Sequence, residues 1–220
     1  MTEYFSLQKP AELLEGTRKA RLAIGRGQAV VVPTDTAYAV VADAFRSEAV
    51  EGLRAVRGMR ENAPLGVFVP GIPTLQALSE DLPDEVTQLA REFWPGALTL
   101  IVPARESLTW DLGDTLGTVA LRMPAHRVTL ELLSETGPLA MAQASKVGGK
   151  PYQKARRIGE VLGEGISVVL QADSHVSPTV LSTVVDTTAF GRDHGKMRIV
   201  REGALPASDI FEVVPRDLFV

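Results

Sequence analysis

The chain has 220 residues, 45% hydrophobic and 23% charged, which suits a packed domain and argues against disorder. A net charge of -4 and a pI near 5.5 exclude a general nucleic-acid coat and confine any polyanion site to a local patch. The absence of cysteine excludes a disulfide framework, a thiolate metal site and a cysteine nucleophile, while His126, His175 and His194 are too scattered to form a metal cluster.

The opening Met1-Thr2-Glu3-Tyr4-Phe5 carries an acid where a secretory signal carries bases. No apolar run approaches the roughly 20 residues of a membrane span, so a soluble, cytoplasmic protein is expected. Across 10–26, Leu13, Thr17, Ala20 and Ile24 recur three or four apart behind Pro10, which predicts a helix broken by Gly25 and Gly27. The β-branched run at 29–33 predicts a buried strand delivering Thr34, Asp35 and Thr36 at its C-terminal end.

A second helix is expected over 47–57, with Val50, Leu53 and Val56 inward and Arg54 and Arg57 on another face. A strand at 65–69, a helix at 82–94 stopped by Pro95-Gly96, and strands at 97–102 and 119–123 follow. A helix carrying Val128, Leu132 and Leu133 then precedes 138–141. The last third repeats the pattern, with a helix near 153–162 and strands near 166–170, 183–185 and 197–201. With no linker and no repeat, this mixture predicts one α/β domain around a large mixed sheet. A tail from 206 to 220 is expected to dock or to stay flexible.

Several common chemistries are missing. Gly148-Gly149-Lys150 is no phosphate loop, because the glycine five residues before Gly149 is lacking and Pro151 follows. Nor is there a G-x-G-x-x-G after a strand, an H-E-x-x-H or a G-x-S-x-G elbow.

A series of segments carries a positive signal: Val32-Pro33-Thr34-Asp35-Thr36-Ala37-Tyr38, Ala42-Asp43-Ala44, Pro64-Leu65 and Phe93-Trp94-Pro95-Gly96-Ala97-Leu98-Thr99-Leu100. Leu121-Arg122-Met123-Pro124, Ser182-Thr183-Val184-Val185-Asp186 and Arg201-Glu202-Gly203 continue it. In order and interval the series resembles the YrdC-like family over roughly residues 25–203, placing a single such domain at 10–205. The resemblance implies a twisted mixed parallel and antiparallel sheet flanked by helices, with a concave, basic site. It also implies an L-threonylcarbamoyl-AMP synthase that uses L-threonine, bicarbonate and ATP, with Mg2+, to supply a tRNA modification. Threonylcarbamoyl transferase proteins would be its partners. Such chemistry needs aligned reactants and neutralised phosphate charge rather than a protein nucleophile.

Within that resemblance Thr34 and Thr36 are expected to bond an amino acid or a phosphate, the plainer alternative being a turn or cap. Tyr38 walls the pocket or packs the core, and Asp35 is structural. Arg122 follows an apolar strand and needs a ligand anion or a buried acid as partner. Ser182 and Thr183 are expected at the nucleotide and Arg201 near its phosphates, against surface or capping roles.

The sequence also departs from the family pattern. Arg57 and Met59 stand where the family carries K-x-R, and Gln143 and Ser145 stand where it carries S-x-N, with Val147 at a second serine. Arg57 keeps the cation in a different shape and joins Arg122 as an expected catalytic charge. Arg60, Lys146 and Lys150 are candidates to replace what Met59 lacks, and Gln143, Ser145 and Lys146 are placed at the nucleotide. The acid-free stretch holding Lys146, Lys150, Lys154, Arg156 and Arg157, with Tyr152 for stacking, reads as a phosphate or RNA patch or as a solvated helix start. The rival to a synthase is a catalytically silent member that binds tRNA, double-stranded RNA or a nucleotide.

Overall fold

The computed structural model describes residues 1–152, 154–172, 180–191 and 194–220; Gln153 and His175 lie outside them. The strands are β1 (Glu3–Ser6), β2 (Ala29–Val32), β3 (Ala39–Asp43), β4 (Gly66–Phe68), β5 (Leu98–Pro103) and β6 (Thr118–Arg122). They continue with β7 (Leu139–Gln143), β8 (Ile166–Gln171), β9 (Thr183–Asp186) and β10 (Arg198–Arg201). The helices are α1 (Pro10–Gly25), α2 (Ser47–Arg57), α3 (Ile72–Leu78), α4 (Asp84–Phe93), α5 (Arg127–Thr136), α6 (Ala155–Leu162) and α7 (Ala207–Val213). No helix among the described residues is long and apolar enough to cross a membrane.

The strands form one sheet in the order β1-β8-β2-β3-β7-β4-β6-β5-β9-β10. β8 is parallel to β1 and β2, β4 to β6, and β5 to β9, whereas β3, β7 and β10 pair antiparallel. The mixed α/β architecture expected from the sequence is what forms.

β2 shows why its sequence is apolar at every position. Ala29 and Val31 enter one core while Val30 and Val32 enter another, so both faces of the strand are covered. The first core receives Val50, Leu53 and Val56 of α2, Leu89 of α4 and Ile158 of α6. Across the sheet, Ala20 and Ile24 of α1 meet Val128, Leu132 and Leu133 of α5. Leu53, with no exposed surface, is a test of the first core: truncation to alanine costs about 2–5 kcal/mol. α2 ends at Gly58, whose φ of 69° is the left-handed conformation glycine adopts most readily.

Both ends of the chain join this body. β1 lies before residue 10 yet is a strand of the sheet. In the segment 206–220, Ile210 and Val214 are fully buried and Phe219 meets Phe211 edge to face at 5.2 Å. Met197 donates to Leu218 O at 2.9 Å and its carbonyl accepts Val220 N at 3.0 Å, fastening the terminus beside β10.

Candidate functional site

Pro33 ends β2, and its carbonyl accepts the buried Thr129 hydroxyl of α5 at 2.6 Å, which fixes where the chain turns. Thr34 closes the turn, donating to Ala37 O at 2.6 Å and accepting the amides of Thr36 and Ala37, each at 3.1 Å. This is the turn-forming alternative for Thr34. The next residues enter β3, so Thr36 and Tyr38 arrive at one end of the sheet.

A cavity of about 270 Å³ opens there. Thr34, Thr36, Tyr38, Arg57, Arg122, Gln143, Ser182 and Arg201 all line it, so eight positions spread over 34–201 converge. Phe68, Met141 and Leu181 line it too, without a functional signal in the sequence. An apolar residue on a core strand carries no polar signal, although Phe68 stands 5.9 Å from the Arg122 guanidinium. Among the described residues no carboxylate lines it, and three of the lining residues are arginines. The cavity therefore suits an anion.

Arg122 is buried and nearly saturated. It donates from Nε to Gly96 O at 2.9 Å, from Nη1 to Thr36 Oγ1 at 2.9 Å and from Nη2 to Asp35 Oδ1 at 2.7 Å. Burial pushes its pKa down and Asp35 opposes that, so the buried-acid alternative holds for this arginine. Arg57 is half-buried, its pKa lowered by burial, and donates from Nε to Ser145 O at 2.7 Å and from Nη1 to the Met59 sulfur at 3.6 Å. Arg201 donates through Nε and Nη2 to Ser182 O at 3.1 and 3.0 Å, while the Ser182 hydroxyl lies 2.8 Å from that of Thr99. Gly203 passes so close that a Cβ there would meet Leu181 O at 2.1 Å, which is why glycine follows that arginine by two. The Tyr38 hydroxyl donates to Ala172 O at 3.2 Å and accepts Ala172 N at 3.0 Å.

Other expected residues are placed outside the cavity lining. The Thr183 hydroxyl donates to Leu205 O and accepts Gly203 N at 2.8 Å, pinning the backbone behind the site. Ser145 is buried with its hydroxyl on Gly149 O at 3.3 Å, and Gln143 Nε2 donates to Ser145 Oγ at 2.8 Å. Lys146 Nζ donates to Val56 O at 2.8 Å, satisfying a carbonyl near the end of α2. Arg60 is exposed. In the basic stretch Lys150, Lys154 and Arg156 are exposed, Arg157 pairs with Glu160 at 3.0 Å, and Tyr152 packs against the first core.

A larger open groove of about 510 Å³ lies between α1 and β8, but Arg18 pairs with Glu15 and Lys19 with Glu3 there. In the smaller cavity Arg122 is paired with Asp35, whereas Arg57 and Arg201 have no acid partner among the described residues.

The chain is 41% identical over 217 residues to a putative threonylcarbamoyl-AMP synthase of Mycobacterium tuberculosis (strain H37Rv), covering 99% of this chain and 97% of that protein. It is 31% identical over 200 residues to the threonylcarbamoyl-AMP synthase of Pyrococcus abyssi, covering 89% of this chain and 57% of the other. The crystal structure of P. abyssi Sua5 complexed with L-threonine superposes with a TM-score of 0.83 at 28% identity, over 98% of this chain and 61% of that one. Residues 22–203 match the Sua5/YciO/YrdC family model, whose description reads "Telomere recombination", and the chain belongs to that family.

Proposed function

We propose that this protein is an L-threonylcarbamoyl-AMP synthase, forming threonylcarbamoyl-AMP and pyrophosphate from L-threonine, bicarbonate and ATP. The observation that carries the reading is the convergence of Arg57, Arg122 and Arg201 with the hydroxyls of Thr36 and Ser182 on one cavity that no carboxylate lines among the described residues. L-threonine and bicarbonate condense to a carbamate with loss of water. A carbamate oxygen then attacks the α-phosphorus of ATP and pyrophosphate leaves, so no protein atom becomes covalently bound. What the protein supplies is alignment and cationic stabilisation of the phosphates. On this reading Mg2+ enters with ATP as part of the substrate, since none of the described lining residues is an acid. The product serves a tRNA modification in the cytoplasm through a threonylcarbamoyl transferase.

Lys150, Lys154 and Arg156, exposed on one stretch, support tRNA or double-stranded RNA as a macromolecular partner. The test of the function is pyrophosphate release from ATP, bicarbonate and Mg2+ with and without L-threonine. Threonine-dependent release whose kcat/KM falls about a hundredfold in Arg57→Ala is the expected result; a folded protein with no release overturns the reading.

A further inference from the structure

The hydrogen bonds at the Thr34 to Thr36 turn leave one hydroxyl proton uncommitted. Thr34 Oγ1 donates its single proton to Ala37 O and fills both lone pairs with the amides of Thr36 and Ala37. Thr36 Oγ1, 3.2 Å away, finds no lone pair left on Thr34. It accepts Nη1 of Arg122 at 2.9 Å, and its own proton has no acceptor among the described residues better than that filled oxygen. Since Thr36 lines the cavity, that proton is available to a ligand.

Arg122 keeps Thr36 in this state only while its own plane is fixed. Asp35 Oδ1 does the fixing: it accepts Nη2 of Arg122 at 2.7 Å and the amide of Ala125 at 2.8 Å, joining the turn, β6 and the approach to α5. The Arg122 side chain is 5% exposed, so the neighbouring charge of Asp35 is what stabilises a guanidinium at that depth.

We propose that Asp35 is a positioning residue which, acting through Arg122, directs the Thr36 hydroxyl proton to an acceptor oxygen of the ligand. The chemistry recognised by that proton is a carboxylate, carbamate or phosphate oxygen. The assignment rests on the synthase reading for the identity of the ligand.

The test is a thermodynamic cycle of wild type, Asp35→Asn, Thr36→Val and the double variant, with KM for L-threonine and for ATP measured separately by pyrophosphate release. Thr36→Val raises one KM about tenfold, as loss of a hydrogen bond to a charged oxygen requires, and moves kcat less. A rise for L-threonine identifies the carboxylate or carbamate oxygen and a rise for ATP a phosphate oxygen. Asp35→Asn raises the same KM, and the double variant is no worse than Thr36→Val alone. Thr36→Ser, which keeps the donor, retains the wild-type value. Additive effects, or a wild-type KM in Asp35→Asn, overturn the proposal. If Asp35→Asn does not fold, Asp35→Glu takes its place, with its longer reach shifting the same KM. Should wild type show no threonine-dependent release, the functional reading fails by itself; the cycle is then read on calorimetric dissociation constants for L-threonine and ATP. Binding of neither by folded wild type overturns the positioning role as well.

Discussion

Arg57 and Ser145, 88 positions apart, are joined by a hydrogen bond from the arginine Nε to the serine carbonyl at 2.7 Å. The bond ties the end of α2 to the loop after β7, and Arg57 lines the cavity. A lysine in this place keeps the charge but cannot hold the carbonyl and a ligand anion with one planar group. Arg57→Lys is therefore expected to lower kcat/KM for threonine-dependent pyrophosphate release about tenfold, and Arg57→Ala about a hundredfold. Steady-state kinetics checks both, and an Arg57→Lys variant as active as wild type removes the planar-clamp explanation.

His126 gives a pH-dependent prediction. Its Nδ1 is the one buried side-chain polar atom without a partner among the described residues, and burial lowers its pKa against the opposing pull of Asp35. The unfolded imidazole takes up a proton below its ordinary value of about 6.5, whereas the folded one resists. The stability tied to this group is thus complete above that pH and is lost as pH falls through the lowered folded value. Urea midpoints should fall as pH drops from about 7.5 to about 5, and His126→Leu should show a shallower fall over that window. Parallel curves for the two proteins would assign the pH dependence to other groups.

The C-terminal segment offers a stability test remote from the cavity. Phe219 is 8% exposed and packs edge to face on Phe211. Phe219→Ala should destabilise by about 3 kcal/mol in urea unfolding, while the folded fraction keeps its pyrophosphate release at low temperature. A change below about 0.5 kcal/mol would mean that the segment is not part of the cooperative unit.

What was legible in the sequence follows from where the signal lies. α2 matches its expected span because Val50, Leu53 and Val56 repeat at helical spacing and Gly58 stops it. β2, β5 and β6 follow from β-branched and apolar runs, and Thr36, Arg122 and Ser182 from the motifs at the strand ends. β1 and α3 escaped because four and seven residues hold too little periodicity, and β1 is ordered by its pairing with β8, a contact across most of the chain. Side-chain direction was the other illegible quantity. Ser182 and Thr183 are adjacent hydroxyl residues, yet alternation along the strand sends the first to the cavity and the second to Leu205. Lys146 likewise reads as a ligand cation until Val56 O is found beside it.

Lys150, Lys154 and Arg156 are exposed, with no acid between 146 and 157. If they track an RNA backbone, replacing all three by alanine removes up to three phosphate contacts without touching the cavity. Each lost contact lowers the slope of log K against log salt by roughly 0.9 on a duplex and roughly 0.7 on a single strand. The triple variant should therefore bind tRNA more weakly at low salt and with a slope shallower by about 2–3, while its KM for L-threonine and ATP stays at the wild-type value. Filter binding at several salt concentrations, beside the pyrophosphate assay, separates the two quantities. An unchanged slope would make the stretch a solvated helix start, since a backbone contact cannot be removed without releasing fewer counterions.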